Sequence, residues 1–167
     1  ALSPDLNYDI QYYGDIRKIN ENIFQGVDVV IHLAAISNDP MGNNFSSVTE
    51  EINSKASENV VRISKQAGVK KFVFASSCSM YGTADSEAKK ESDSLNPLTS
   101  YAKSKVYMEQ ALKKFSDKRF QGTCLRYSTA CGMTPRLRLD LVLNDFVASA
   151  LATGKIEILS DGTPWRP

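Results

Sequence analysis

The run VDVVIHLAA, Val27 to Ala35, is almost uninterrupted in apolar and β-branched side chains and follows directly on Gly26. A short apolar run without polar alternation reads as a strand of a parallel sheet, covered on both faces. The segment FSSVTEEINSKASENVVRISKQAGV comes next, with Val48, Ile52, Ala56, Val60 and Ile63 recurring at helical intervals and Gly68 standing just past them. That pattern predicts a long amphipathic helix with its stop signal. The alternation then repeats: KKFVFASS predicts a second strand, PLTSYAKSKVYMEQALKKFS a helix with Pro97 near its start, and FQGTCLRYS a third strand. DLVLNDFVASALATGK predicts a helix and IEIL a short final strand. Strands alternating with helices of this length specify an α/β doubly wound parallel sheet, whose ligands sit beyond the carboxyl ends of the strands. The notable polar residues fall at those ends, in HLAAISND, SSCSMYG and RYSTACG. TADSEAKKESDSLNP reads as an exposed loop after the second of these corners, a lid or a plain surface connection.

Composition narrows the function classes. The chain is 42% hydrophobic and 23% charged over 167 residues, enough for one domain with a sizeable core. A net charge of +1, with Lys and Arg clustered at most in pairs such as Lys70-Lys71, provides no field for nucleic acid. No apolar run approaches the ~20 residues of a membrane span, and the opening ALSPDLNYDIQ has no signal-peptide pattern. A soluble cytoplasmic protein is therefore expected. Cys78, Cys124 and Cys131 form an odd, widely spaced set, and His32 is the only histidine, so no metal site is expected and the thiols should be reduced and mostly buried.

Within SYAKSKVYMEQ, Tyr101 and Lys105 stand one helical turn apart, which brings an ammonium beside a phenol. A phenol ionises near pH ~10, and a neighbouring cation favours the charged form that proton transfer at neutral pH needs. Lowering that value by about three is worth roughly 4 kcal/mol, more than one partly exposed pair supplies, so a second cation or dipole is required. Taken alone, the pair reads first as a solvated helix face.

The ordered set GDIR (Gly14 to Arg17), DVVIHLAA, FVFASSCSMYG, YAKSK and LRYSTACG decides between these readings. Together with DGTPWRP near the end, it resembles the extended short-chain dehydrogenase/reductase family, and within it the NAD-dependent epimerase/dehydratase branch that acts on nucleotide sugars. The likeness extends over nearly the whole chain and implies a Rossmann-like sheet. It implies that Tyr101 moves a proton to or from a sugar hydroxyl while hydride passes between sugar and nicotinamide. Lys105 would hold the nicotinamide ribose and, with the positive nicotinamide ring, lower the Tyr101 pKa. Ser77, five residues before Gly82, would bond the reacting oxygen; its plain structural use is a strand-end cap.

The same resemblance places Asp15 and Ile16 at the adenine, and Leu33, Ala34 and Ala35 beneath the dinucleotide. It puts Asn53 on a helix facing that cleft, Ala75 and Ser76 at the nicotinamide, and Tyr127 beyond it. Arg166 falls on the nucleotide diphosphate, and Thr129 and Asn144 border the sugar. His32 carries no catalytic role and reads as a satisfied strand residue. A homodimer is also implied, by helices that pair into a four-helix bundle in relatives; Val106, Met108 and Leu112 could serve either the core or that seam.

The glycine-rich pyrophosphate loop of the family has no counterpart among the nine glycines. The chain therefore reads as an internal piece, lacking the first βαβ unit and most of the C-terminal substrate region. Residues 1–135 would be a partial NAD(P)-binding domain and 136–167 the start of the substrate-binding region. NAD is the expected cofactor, with NADP left open because the residue that separates them would lie outside this chain. Relatives that eliminate water carry an Asp-Glu pair after the catalytic Ser or Thr; Cys78 and Ser79 stand there instead. Relatives that epimerise at C3 and C5 use a cysteine at the position of Ser79. The resemblance thus points to C4 epimerisation, with keto-sugar reduction, a redox-inactive binding protein and a fragment without its own activity as the other readings.

Overall fold

The computed structural model describes residues 8–37, 44–82, 88–134, 137–158 and 161. Three parallel strands, β1 (Val29–His32), β2 (Lys71–Ser77) and β3 (Gln121–Tyr127), lie side by side in chain order. Each crossover is a helix. Between β1 and β2 runs α1, a continuous helix with an α-helical start (Ser46–Glu50), a π-helical stretch (Glu51–Ala56) and an α-helical remainder (Ser57–Gln66). Between β2 and β3 runs α2 (Ser100–Phe115), and α3 (Val142–Thr153) follows β3. The predicted parallel α/β fold is present.

The stop and start signals act as expected. At the end of α1, Gly68 takes φ +89°, its N–H bonds the Lys65 carbonyl and the Val69 N–H bonds the Ser64 carbonyl. This is the paired C-terminal closure that a left-handed residue makes possible. At the start of α2, the Thr99 hydroxyl accepts from the Ala102 N–H at 3.1 Å, satisfying one of the helix's unpaired donors.

Side chains of alternate strand positions meet α1 and α2 on one face of the sheet. Phe72 and Phe74 of β2 are 0% and 2% exposed, and they pack with Val60 and Val61 of α1, Met108 and Leu112 of α2, and Phe120. Met108 and Leu112 thus serve the core, which helical spacing alone leaves undecided; Val106 is half-buried. Gly122 of β3 lets α2 come close, since a Cβ there would stand 2.5 Å from Leu112 Cγ and 2.6 Å from Ser116 Oγ.

Four expectations need correction. The strand within Val27 to Ala35 extends only over Val29–His32, because pairing with β2 ends at His32 opposite Phe74. Its two-sided burial is not supplied by the described residues: both packed helices lie on one face, and Val29 and Ile31, pointing the other way, are 46% and 64% exposed. Residues 156–158 of IEIL form no strand, with Ile156 and Ile158 exposed and no described strand beside them; Leu159 lies outside the described residues. The three thiols are free, but Cys131 is exposed after β3 while Cys78 and Cys124 are half-buried. Among the described residues no helix is long and apolar enough to cross a membrane.

Candidate active site

β2 ends in Ser77, and a 3-10 turn, Cys78–Tyr81, begins there. The Ser77 hydroxyl accepts from the Ser79 N–H at 3.2 Å, so the strand-end cap exists. Capping uses a lone pair only, which leaves the hydroxyl proton for donation. The turn is pinned from below by Met80, 0% exposed, and closed by Gly82 at φ +76°. A Cβ at Gly82 would overlap the Asn96 carbonyl, and the Asn96 N–H bonds the Met80 carbonyl at 2.9 Å, so the connection to α2 lies directly over the turn.

The capped start of α2 brings Tyr101 and Lys105 to the same end of the sheet. Lys105 is 4% exposed and donates to the Ala75 carbonyl at 2.7 Å. Its ammonium lies 4.7 Å from the Phe74 ring centre and 5.1 Å from that of Tyr101. Burial lowers the Lys105 pKa to about 8, so the group is still a cation at neutral pH. Arg138, ion-paired with Asp140 at 2.5 Å, is a further positive group with a weak electrostatic interaction with Tyr101. No motif or spacing marks it, since its approach depends on how the chain returns after β3.

At the end of β1, Leu33 is 67% exposed, Ala34 is exposed and Ala35 half-buried, leaving a low apolar rim. Asn53, in the π-helical stretch, is buried and clamps that rim: its Oδ1 accepts from the Ile36 N–H at 2.8 Å and its Nδ2 donates to the Ile36 carbonyl at 3.0 Å. Ala75 and Ser77 share one side of β2, and Tyr127, opposite Ser77 in register, lies beside them, 49% exposed. Ser76 turns the other way, its hydroxyl donating to Glu109 at 2.6 Å, so its backbone alone faces the strand end.

Asp15 and Ile16 form a separate small turn before β1. The Asp15 carboxylate caps it at the Arg17 N–H, 2.9 Å, and grips the Arg17 guanidinium, which holds its pKa down to about 2; Ile16 is half-buried. Thr129 is exposed after β3. Asn144 is 9% exposed and ties two segments together, accepting from the Gly132 N–H at 3.0 Å and donating to the Arg138 carbonyl at 2.9 Å. Arg166 lies outside the described residues.

His32 is 6% exposed and its Nε2 is 2.8 Å from Ser57 Oγ. Because the Ser57 hydroxyl donates to the Ile52 carbonyl at 3.0 Å, His32 must be the donor, which sets the Nε2–H tautomer. Burial, with Lys105 nearby, lowers its pKa to about 4, so it is neutral. Ser79 Oγ is buried without a hydrogen-bond partner among the described residues.

Ser77, Tyr101 and Lys105 gather at the carboxyl end of β2, the end of a doubly wound sheet that binds ligands. A model of the NAD dependent epimerase/dehydratase family matches residues 5–167. The chain belongs to this family. It is 29% identical over 148 residues to the uncharacterised UDP-glucose epimerase YtcB of Bacillus subtilis (strain 168), covering 87% of this chain and 46% of that protein. Against a UDP-glucose 4-epimerase of Halalkalibacterium halodurans it is 31% identical over 135 residues, 77% of this chain and 40% of the other. The structure of MoeE5 in complex with UDP-glucose and NAD superposes with a TM-score of 0.79 at 29% identity, over 91% of this chain and 51% of that one. The chain therefore spans about half the length of the relatives it matches.

Proposed function

We propose that the protein to which this chain belongs is an NAD-dependent nucleotide-sugar 4-epimerase in which Tyr101 is the acid/base. The observation that carries this reading is the Lys105 ammonium held 5.1 Å from the centre of the Tyr101 ring by its bond to the Ala75 carbonyl, two residues before Ser77 ends β2. The residues present suit the nicotinamide half of the cofactor. Among the described contacts Lys105 makes one hydrogen bond, to Ala75, out of the three its ammonium can donate, and Ala34, Ala35 and Ala75 keep the surroundings low. NAD, when bound, supplies the reversible hydride acceptor that oxidation and re-reduction at one sugar carbon need.

The chain's own groups divide the remaining work. Lys105 holds the ribose, and with Arg138 it favours the phenolate of Tyr101. Tyr101 then takes the proton of the sugar hydroxyl and returns it. Ser77 donates a hydrogen bond to the same oxygen and orients it, and Ser79 Oγ offers a further polar contact. Asp15, Ile16, Leu33, Asn53, Ser76 and Tyr127 belong to the cofactor side of this proposal, and Thr129, Asn144 and Arg166 to the sugar side. The division of residues 1–135 from 136–167, and assembly as a homodimer, are parts of the same reading.

Elimination of water is disfavoured by the side chains after Ser77. Burial raises the Cys78 thiol above its ordinary pKa, and a serine hydroxyl is a far weaker acid than a carboxyl group. The test is to incubate the complete protein with UDP-glucose and NAD in deuterated water and follow the sugar by NMR. Inversion at C4 without solvent deuterium is expected. Accumulation of a 4-keto-6-deoxy sugar carrying deuterium at C5 would refute the proposal.

A further inference from the structure

Arg126 stands on β3 opposite Ser76 and faces α2. Its Nε and Nη2 donate to the two carboxylate oxygens of Glu109 at 3.0 and 2.7 Å, and the side chains of the pair are only 16% and 15% exposed. Its Nη1 donates to the Tyr81 hydroxyl at 2.7 Å and to the Glu91 carbonyl at 3.1 Å. The Tyr81 hydroxyl in turn donates to the Lys90 carbonyl at 2.9 Å, and Glu109 also accepts from the Ser76 hydroxyl at 2.6 Å.

The network joins the pieces that carry the reacting groups. Glu109 lies two turns along α2 from Tyr101 and one from Lys105. Ser76 precedes Ser77 directly, and Tyr81 closes the turn that Ser77 begins. Holding α2 on the sheet does not require this network, because Met108 and Leu112 in the core and the close approach at Gly122 already do so. A buried ion pair returns little net stability compared with apolar packing, whereas a planar five-donor fork fixes direction.

We propose that Arg126 and Glu109 are positioning residues that set the Ser77 turn against Tyr101. This rests on the catalytic reading of Ser77, Tyr101 and Lys105 given above. Neither side chain touches the reacting atoms: Glu109 sets the angle of α2, and Arg126, through Tyr81 and Glu91, sets the turn and the segment lying over it.

Glu109→Gln keeps the shape but leaves Arg126 without its charged partner, and Tyr81→Phe cuts the arm to the turn together with the exposed bond to the Lys90 carbonyl, with little expected effect on folding. Crystal structures of both variants of the complete protein should show the Ser77–Tyr81 turn displaced from α2 by about 0.5 Å or more. With UDP-glucose as the probe substrate, kcat should fall about 10- to 100-fold while KM changes by less than about three-fold. The Tyr81→Phe melting temperature should stay within a few degrees of the parent. An unmoved turn with parental kcat, or a lower melting temperature with parental kcat, overturns the proposal. Tyr101→Phe, measured in parallel, separates the two levels: if it is inactive while both other variants are fully active, positioning alone fails. If Tyr101→Phe is fully active, the site itself fails, and positioning with it. If UDP-glucose is not turned over by the parent, the substrate assignment fails and the turn displacement decides positioning.

Discussion

The Lys105 ammonium lies 5.1 Å from the centre of the Tyr101 ring while donating to the Ala75 carbonyl at 2.7 Å. One side chain thus couples the helix that carries Tyr101, the proposed acid/base, to the strand that ends in Ser77. Replacing Tyr101 by Phe keeps the ring and removes the proton. Turnover of the complete protein should fall at least about 100-fold, with NAD affinity by fluorescence titration little changed. Parental turnover would end the mechanism.

Lys105 is costly to bury and should show it. Its pKa of about 8 in the folded protein is below the ordinary 10.5, so between these values the unfolded chain holds a proton that the folded chain has released. Stability therefore rises with pH across that window, by roughly 3 kcal/mol from this group. Urea unfolding at pH 7 and at pH 10 should reveal the rise in the parent and its absence in Lys105→Met, a variant expected to be stable but inactive.

His32 predicts the acid limb. A folded pKa of about 4 against an ordinary 6.5 means that the unfolded chain takes up the proton first, so stability falls as pH drops from 6.5 towards 4. The loss from this group is roughly 3 kcal/mol. The fall should be shallower in His32→Gln by that amount, and nitrogen NMR should find the Nε2–H form at pH 7. Parallel curves for the two proteins would contradict this assignment.

Gly122→Ala should destabilise by about 1–3 kcal/mol, because the added methyl group enters the space of Leu112 and Ser116 in a packed layer. A lower urea midpoint with an unchanged slope is the expected result. An unchanged midpoint would mean that α2 shifts without cost.

Homodimer formation through the outer faces of α1 and α2 predicts twice the chain mass for the complete protein in light scattering. Tyr107 stands there, 43% exposed, with its hydroxyl donating to Glu58 of α1. A monomeric mass would rule the assembly out.

Apolar period and punctuation determined the order of strands and helices, because burying a strand or one helix face requires that spacing whatever lies beside it. Gly68 and Thr99 mark helix ends in the sequence for the same local reason: a left-handed residue and a capping hydroxyl act on their own backbone. Ser77, Tyr101 and Lys105 can be proposed from the sequence because two of them share a helix face and the third ends a strand in an ordered motif set. Tertiary structure alone decided the rest. Both described crossovers take one side of the sheet, so no described residue covers Ile31, whose run of residues predicts burial. Arg138 near Tyr101, Asn53 on Ile36, and Arg126 between Glu109 and Tyr81 each join groups distant in the chain. Hydrogen bonds and charge act over a few ångströms of space and leave no period in the sequence, so only the folded backbone could reveal these partners.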